Sequence, residues 1–141
     1  MRKIQLLLFL FLTVNSFAQQ NKATIWADSV FKTLTPDEQI AQLMVVRLST
    51  INANKTVTFF DSLVTSLVKK YNVGGVCLFQ GSPVKQANIL NGLQAIAKTP
   101  IMMCIDAENG IGMRMTDSVL PLPRQMMMGA GQDSSIIYQY G

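Results

Sequence analysis

The chain has 141 residues, with 12 Lys and Arg against 8 Asp and Glu, a formal net charge of +4, two cysteines and no histidine. Without histidine it holds no Ser-His-Asp triad, no Cys-His pair and no His-ligated zinc site. Two of the basic residues, Arg2 and Lys3, sit in a segment expected to be removed, and no basic cluster exceeds Lys69-Lys70, so the charge does not point to nucleic acid.

Arg2 and Lys3 precede an apolar run, residues 4–14, that is too short for an ordinary membrane span. Ser16-Phe17-Ala18 places small residues where a signal peptidase reads, which predicts a signal peptide over residues 1–18 cleaved after Ala18. No cysteine follows the run, so no stable membrane anchor is expected. The protein is therefore read as exported, periplasmic or secreted, with residues 19–34 as an N-terminal lead-in.

Thr35-Pro36-Asp37-Glu38 predicts a capped helix start, the helix running to about Gln42. Residues 43–48 predict a strand, interrupted only by Arg47, and the polar tract 49–55 a loop. From Thr56 to Tyr71 the apolar residues Phe59, Phe60, Leu63, Val64, Leu67 and Val68 fall at helical spacing. Asn72 ends that helix, Gly74-Gly75 turns the chain, and residues 76–79 predict a short buried strand. Ser82-Pro83 opens the next helix, with Leu90 and Leu93 on its apolar side, and Thr99-Pro100 closes it. Five consecutive apolar residues, 101–105, predict a strand covered on both faces that ends in Asp106. Beyond Arg114, residues 120–123 predict a stiff extended segment and residues 126–129 a turn or short helix. Asp133 is read as the cap of a helix beginning at Ser134.

Helices alternating with strands predict a parallel sheet with right-handed crossovers. Three strands leave two open edges, so the chain is expected to be the N-terminal part of a longer protein. In parallel folds ligands bind just past the C-terminal strand ends, which is where Asp106 falls. Asp106 and Glu108, two apart on an extended segment, point to one side roughly 6–7 Å apart. A retaining glycosidase spaces its two carboxyls about 5–5.5 Å apart. Two readings follow: a catalytic pair, or an Asp106 that accepts hydrogen bonds from ligand hydroxyls while Glu108 supports the loop. The second is preferred, because neighbours on one strand end do not easily flank opposite sides of a sugar.

Gly110 and Gly112 permit positive φ or close backbone approach, but a G-x-G without a third glycine is not a nucleotide loop. Arg114 is read either as a clamp on a substrate hydroxyl or carboxylate, or as an ion-pair partner of Asp106 or Glu108. The S-x-x-K stretch from Ser66 to Lys69 falls inside a predicted helix and is read as chance. The methionines are read as flexible core filler rather than a copper site. Cys77 and Cys104 are read as two buried thiols rather than a disulfide, since nothing in the sequence aligns them. No metal or cofactor site is expected.

Four segments together resemble a known family. They are Thr35-Pro-Asp-Glu-Gln-Ile-Ala-Gln-Leu-Met44, Val73-Gly-Gly-Val-Cys-Leu-Phe79, Ile105-Asp-Ala-Glu-Asn-Gly110 with Gly112 and Arg114, and Leu122-Pro-Arg-Gln-Met126 running into Gly129. In this order they resemble the N-terminal part of family-three glycoside hydrolases, most closely the β-N-acetylglucosaminidase (β-N-acetylhexosaminidase) type. The resemblance implies an α/β fold, a TIM-type (β/α)8 barrel of which residues 35–141 supply about three βα units, truncated at the C-terminal end. It implies that Asp106 holds hydroxyls of the non-reducing sugar and that Arg114 lines the same pocket. It further implies a retaining mechanism through a covalent glycosyl-enzyme, with an aspartate nucleophile and a histidine acid/base downstream and no catalytic residue in this chain.

The implied substrate is a terminal β-linked N-acetylglucosamine on a peptidoglycan- or chitin-type oligosaccharide, taken without metal or cofactor. A C-terminal serine-hydrolase-like domain often follows sequences of this kind. Where the family usually has glycine this chain has Asn109, which tolerates left-handed backbone. Two alternatives stand beside this reading: a β-glucosidase or other hexosidase of the same family, and a non-catalytic carbohydrate-binding or truncated protein.

Overall fold

The structure, a computed structural model, describes residues 21–131 and 133–140, and the signal-peptide reading of residues 1–18 lies outside them. The chain forms two compact units, Met1–Leu34 and Thr35–Gly141. In the first, the described part of the lead-in is a helix, α1 (Lys22–Phe31), whose N-terminus is capped by the Asn21 side chain accepting from Ala23 N. Among the described residues no helix is long and apolar enough to cross a membrane.

The second unit opens on helix α2 (Pro36–Ala41). Its capping box is complete: Glu38 N donates to Thr35 Oγ1 at 3.3 Å, and Thr35 N donates to Glu38 Oε2 at 2.8 Å. Pro36 loses nothing by lacking an N–H in the first turn. Lys98 Nζ reaches both carboxylate oxygens of Glu38, at 2.8 and 2.9 Å.

Strand β1 (Val45–Arg47) follows, shorter than the stretch expected. The segment beyond it differs from the sequence reading. Residues read as a loop and as the first turn of a long helix form an antiparallel hairpin, β2 (Ser49–Ile51) paired with β3 (Val57–Phe59). Two features account for it. The β-branched residues Thr56, Val57 and Thr58 favour extended backbone. Asn52 Nδ2 donates to Thr56 Oγ1 and Thr58 Oγ1, while Asn54 Oδ1 accepts from Thr56 N and Oγ1. Phe59 and Phe60 match the helical period by coincidence, and helix α3 (Asp61–Tyr71) begins only after them.

Strands β4 (Gly75–Leu78) and β5 (Met102–Ile105), with helix α4 (Pro83–Ile96) between them, complete the βα alternation. The sheet order is β1-β4-β5, all parallel, with Val45 opposite Gly75 and Gly75 opposite Met102. Chain reversals at the strands' N-terminal end rest on a buried polar knot. Asn72 caps α3 in the left-handed region at φ 55° and ψ 52°. Its Nδ2 donates to Thr99 Oγ1 at 2.9 Å and its Oδ1 accepts from Thr99 N at 3.1 Å. Gln42 Nε2 donates to the Asn72 carbonyl. At Gly74 a Cβ would stand 1.9 Å from the Gln42 carbonyl oxygen, so no side chain fits there.

The core lies between one face of the sheet and helices α3 and α4: Leu48, Val64, Val68, Val76, Leu93 and Ile101 are buried, and Val46, Leu78 and Met103 pack against them. The alternate residues Val45, Arg47, Cys77, Met102 and Cys104 occupy the other face. Strand β5 is therefore not covered on both faces among the described residues: Met102 is 62% exposed, and its neighbours alternate in burial. An apolar run shows that a strand avoids water but not which elements cover its second face.

Two further readings are corrected. Cys77 is half-buried and Cys104 exposed, both as free thiols, because both fall on that open face. Of the methionines, Met103 packs on the core, whereas Met102, Met126 and Met127 are exposed. The last segments are helices α5 (Gln125–Ala130) and α6 (Ser134–Tyr140). Asp133 accepts from Ser135 N at 2.9 Å and from Ser135 Oγ at 2.7 Å, and these bonds hold its carboxyl below the ordinary value.

Two outcomes are expected. Asn72→Ala removes two buried hydrogen bonds and leaves a left-handed alanine, which should cost about 2–4 kcal/mol in urea unfolding; a loss within error of zero would dismiss the knot as a stabilising element. Lys98 and the helix cap hold the Glu38 carboxyl below the ordinary glutamate value. A depressed folded pKa gives stability that is present above the unfolded pKa and lost as pH falls through the folded one. Urea midpoints measured down the acid limb should fall less steeply for Glu38→Gln than for the parent chain.

Candidate functional site

The parallel sheet brings three C-terminal strand ends together: Arg47 ends β1, Phe79 follows β4 and Asp106 follows β5. Asp106 N donates to the Leu78 carbonyl at 3.4 Å, which carries the β4–β5 ladder one residue beyond the strands. Asp106 thus leaves the sheet with its backbone still tied to the strand that carries Phe79.

The loop after Asp106 is built by shape. Gly110 N donates to the Ala107 carbonyl at 2.9 Å, and Gly110 itself takes φ +83°, where a side chain would be strained. Asn109 has no positive φ, so the turn does not require a glycine at that position. A single turn of 3-10 helix follows (Ile111–Met113). Gly112 lies flat against the extended segment beyond it: a Cβ there would be 2.6 Å from Pro121 Cα and 2.8 Å from the Leu120 carbonyl oxygen. The two glycines therefore serve backbone packing and not a phosphate cradle.

The 3-10 turn delivers Arg114 back to Asp106. Arg114 Nη2 lies 2.6 Å from Asp106 Oδ2, and Nε donates to the Asp106 main-chain carbonyl. The Arg114 side chain is only 15% exposed, against 47% for Asp106. The arginine is thus the packed partner and the carboxylate the accessible one. With Oδ2 taken by the arginine, Asp106 keeps lone pairs for a ligand donor. Of the two partners left open for Arg114 by the sequence, the structure gives it Asp106.

Glu108 takes a different part. Its side chain is exposed and forms no ion pair among the described residues, while its main-chain carbonyl accepts from Gln125 Nε2 and ties the loop to α5. Asp106 and Glu108 do not act here as one unit.

Two residues escaped the sequence reading. Arg47 Cζ lies 4.5 Å from the centroid of the Phe79 ring and Arg114 Cζ lies 5.0 Å from it, so two guanidinium groups share one aromatic ring. Arg47 Nε also donates to the Ser49 carbonyl at 3.0 Å. The signal for Arg47 was available: a lone charge at the end of an otherwise apolar strand. Phe79 carried none, since a strand-ending phenylalanine is ordinary core.

The loop after Phe79 is held from several sides. Buried Gln86 donates to the Phe79 carbonyl at 3.1 Å, and Ser49 Oγ donates to the Gln80 carbonyl at 2.6 Å. Gly81 N donates to the Arg114 carbonyl at 3.0 Å, and Thr116 N donates to the Gly81 carbonyl at 3.1 Å. The hairpin, α4 and the Arg114 loop thereby fix one another around the site. An apolar hollow of about 450 Å³ lined by Ile40, Met44, Val45 and Leu67 contains none of these residues. Ser66, of the S-x-x-K stretch, is exposed within α3.

Residues 35–141 match the model of the glycosyl hydrolase family 3 N terminal domain. No curated protein and no solved structure matches the chain. The matched span contains the whole parallel sheet and the Asp106–Arg114 pair at its C-terminal edge, the edge at which TIM-type barrels bind their substrates. A sheet of this order with helices returning on one side is the opening portion of such a barrel, and the chain belongs to glycosyl hydrolase family 3, a family of glycoside hydrolases.

Proposed function

We propose that this chain is the N-terminal part of an exported, retaining exo-glycosidase that releases terminal β-linked N-acetylglucosamine from peptidoglycan- or chitin-type oligosaccharides. The observation that carries the reading is the Asp106 carboxylate, oriented by Arg114 and open at the C-terminal edge of a parallel sheet. A fixed carboxylate is a strong acceptor for sugar hydroxyls, and a charge-assisted hydrogen bond contributes about 1.5–3 kcal/mol. Arg114 fixes the carboxylate's orientation before the sugar arrives and lines the same pocket.

Asp106 binds in this scheme and does not attack. The aspartate that attacks the anomeric carbon, and the histidine that first protonates the leaving oxygen and then activates water, belong to later strands and loops of the full-length protein. Export rests on the signal-peptide pattern of residues 1–18. Preference for the amino sugar rests on the segment Gly74-Gly75-Val76-Cys77-Leu78-Phe79, which puts Phe79 beside both arginines. A C-terminal serine-hydrolase-like domain completes the proposed architecture.

The full-length protein should cleave 4-nitrophenyl β-N-acetylglucosaminide in preference to the β-glucoside, and Asp106→Ala should lower kcat/KM by about a hundredfold or more, the loss of two charge-assisted hydrogen bonds. The opposite preference would transfer the reading to a β-glucosidase of the same family. Cleavage of neither sugar, with sugar binding retained, would make the protein a carbohydrate-binding one. Gly112→Ala is expected to raise KM while leaving the fold cooperative, because the loop must lift from Pro121; unchanged kinetics in that variant would show that the loop does not position the sugar.

A further inference from the structure

Phe79 continues the alternation of Cys77, and among the described residues it is not part of the core under α3 and α4. Its ring meets two cations instead. Arg47 stands opposite Cys77 in the β1–β4 register. Its side chain runs forward along its own strand, since Nε donates to the Ser49 carbonyl two residues on. That path carries its guanidinium to 4.5 Å from the centroid of the Phe79 ring. Arg114 reaches the same ring from the loop after β5, at 5.0 Å. Two guanidinium groups repel one another, so both are gathered here by the ring face and by the oxygens that anchor them. These contacts join β1, the end of β4 and the Arg114 loop, and they hold whichever strands close over that side of the sheet.

The bonds of Arg114 give the ring a task. Nη2 meets Asp106 Oδ2 at 2.6 Å and Nε donates to the Asp106 carbonyl, so both bonds leave the guanidinium toward one residue. Bonds to one residue fix the distance of a planar group but let it rock about that edge. An aromatic ring against its face removes the rocking. An aliphatic side chain would fill the same space at position 79 without offering a cation a π face.

We propose that Phe79 and Arg47 are positioning residues for the Asp106 carboxylate: Arg47 holds the Phe79 ring, the ring sets the plane of the Arg114 guanidinium, and the guanidinium aims Asp106 at the sugar hydroxyl. The inference rests on the reading of Asp106 as the sugar-binding acceptor. Neither Phe79 nor Arg47 touches the sugar in this arrangement, and both act through Arg114. Strand β1 thereby contributes to the site from two strands away.

The test is a pair of double-mutant cycles on the full-length protein, read in kcat/KM and KM on 4-nitrophenyl β-N-acetylglucosaminide, with thermal melts to show that each variant folds. Phe79→Leu should lower kcat/KM about tenfold, the size of one desolvated cation–π contact, and chiefly by raising KM. Phe79→Tyr, which keeps the ring, should recover most of that loss. Arg47→Met should lower kcat/KM about threefold. In an Asp106→Ala background both losses should shrink below about twofold, because no carboxylate is left to aim. Losses that persist in full in that background would overturn the proposal and make Phe79 or Arg47 a direct sugar contact. Parental kinetics in both single variants would overturn it as well. If Phe79→Leu does not fold, the Arg47→Met cycle decides alone. Should the protein prefer the β-glucoside, the same cycles run on that sugar, so the coupling can stand where the amino-sugar reading falls. Activity without coupling leaves the function reading in place and removes this one, and a parent protein that binds neither sugar removes both.

Discussion

Strand β4 is the constraint on which the rest of the second unit depends. It is hydrogen-bonded on both edges, to β1 and to β5, and all three strands run the same way. Parallel strands force the chain to return across the sheet after each one, which creates helices α3 and α4 and gives them a common face to cover. The same direction places every strand's C-terminal end on one edge, so Arg47, Phe79 and Asp106 meet although 59 positions separate the first from the last (106 minus 47). Gly75 shows how tight that centre is: a Cβ there would come within 3.0 Å of Val45 Cγ2 and 3.4 Å of the Met102 carbonyl oxygen.

Much of this could be read from the sequence, and for identifiable reasons. Helix α2 announced itself because its capping signal is local: Thr35, Pro36 and Glu38 satisfy one another within a single turn. The end of α3 at Asn72 and the start of α4 at Pro83 were legible because each rests on one residue's backbone preference, left-handed at Asn72 and a fixed φ at Pro83. The hairpin β2–β3 was not. Its ladder is decided by cross-strand pairing and by the side-chain bonds of Asn52 and Asn54, whereas periodicity registers only apolar spacing. The exposure of Cys104 and Met102 was illegible too, because an apolar strand carries no mark of which of its faces a neighbour covers.

The site divides along the same line. Asp106 was singled out by its place after an apolar strand, and Arg114 by its charge in a glycine-rich loop; the structure pairs the two. That Arg114 reaches Asp106 and not Glu108 depends on the 3-10 turn and on the seat of Gly112, neither of which has a sequence period. Arg47 and Phe79 join the site only when the sheet assembles. Contacts between strand ends are products of topology, and single residues do not encode them.

The seat of Gly112 against Leu120 and Pro121 bears on how the protein meets a ligand. A loop wedged between a proline-stiffened segment and the sheet edge has few alternative conformations to give up on binding. A ligand at this edge would meet a surface whose ordering cost was met during folding, and its affinity would depend on complementarity more than on closure. The same tightness makes position 112 intolerant for a reason unrelated to chemistry: its one requirement is the absence of a side chain. Any change in the shape of this edge therefore has to come through the neighbours of that glycine, with the glycine itself left in place.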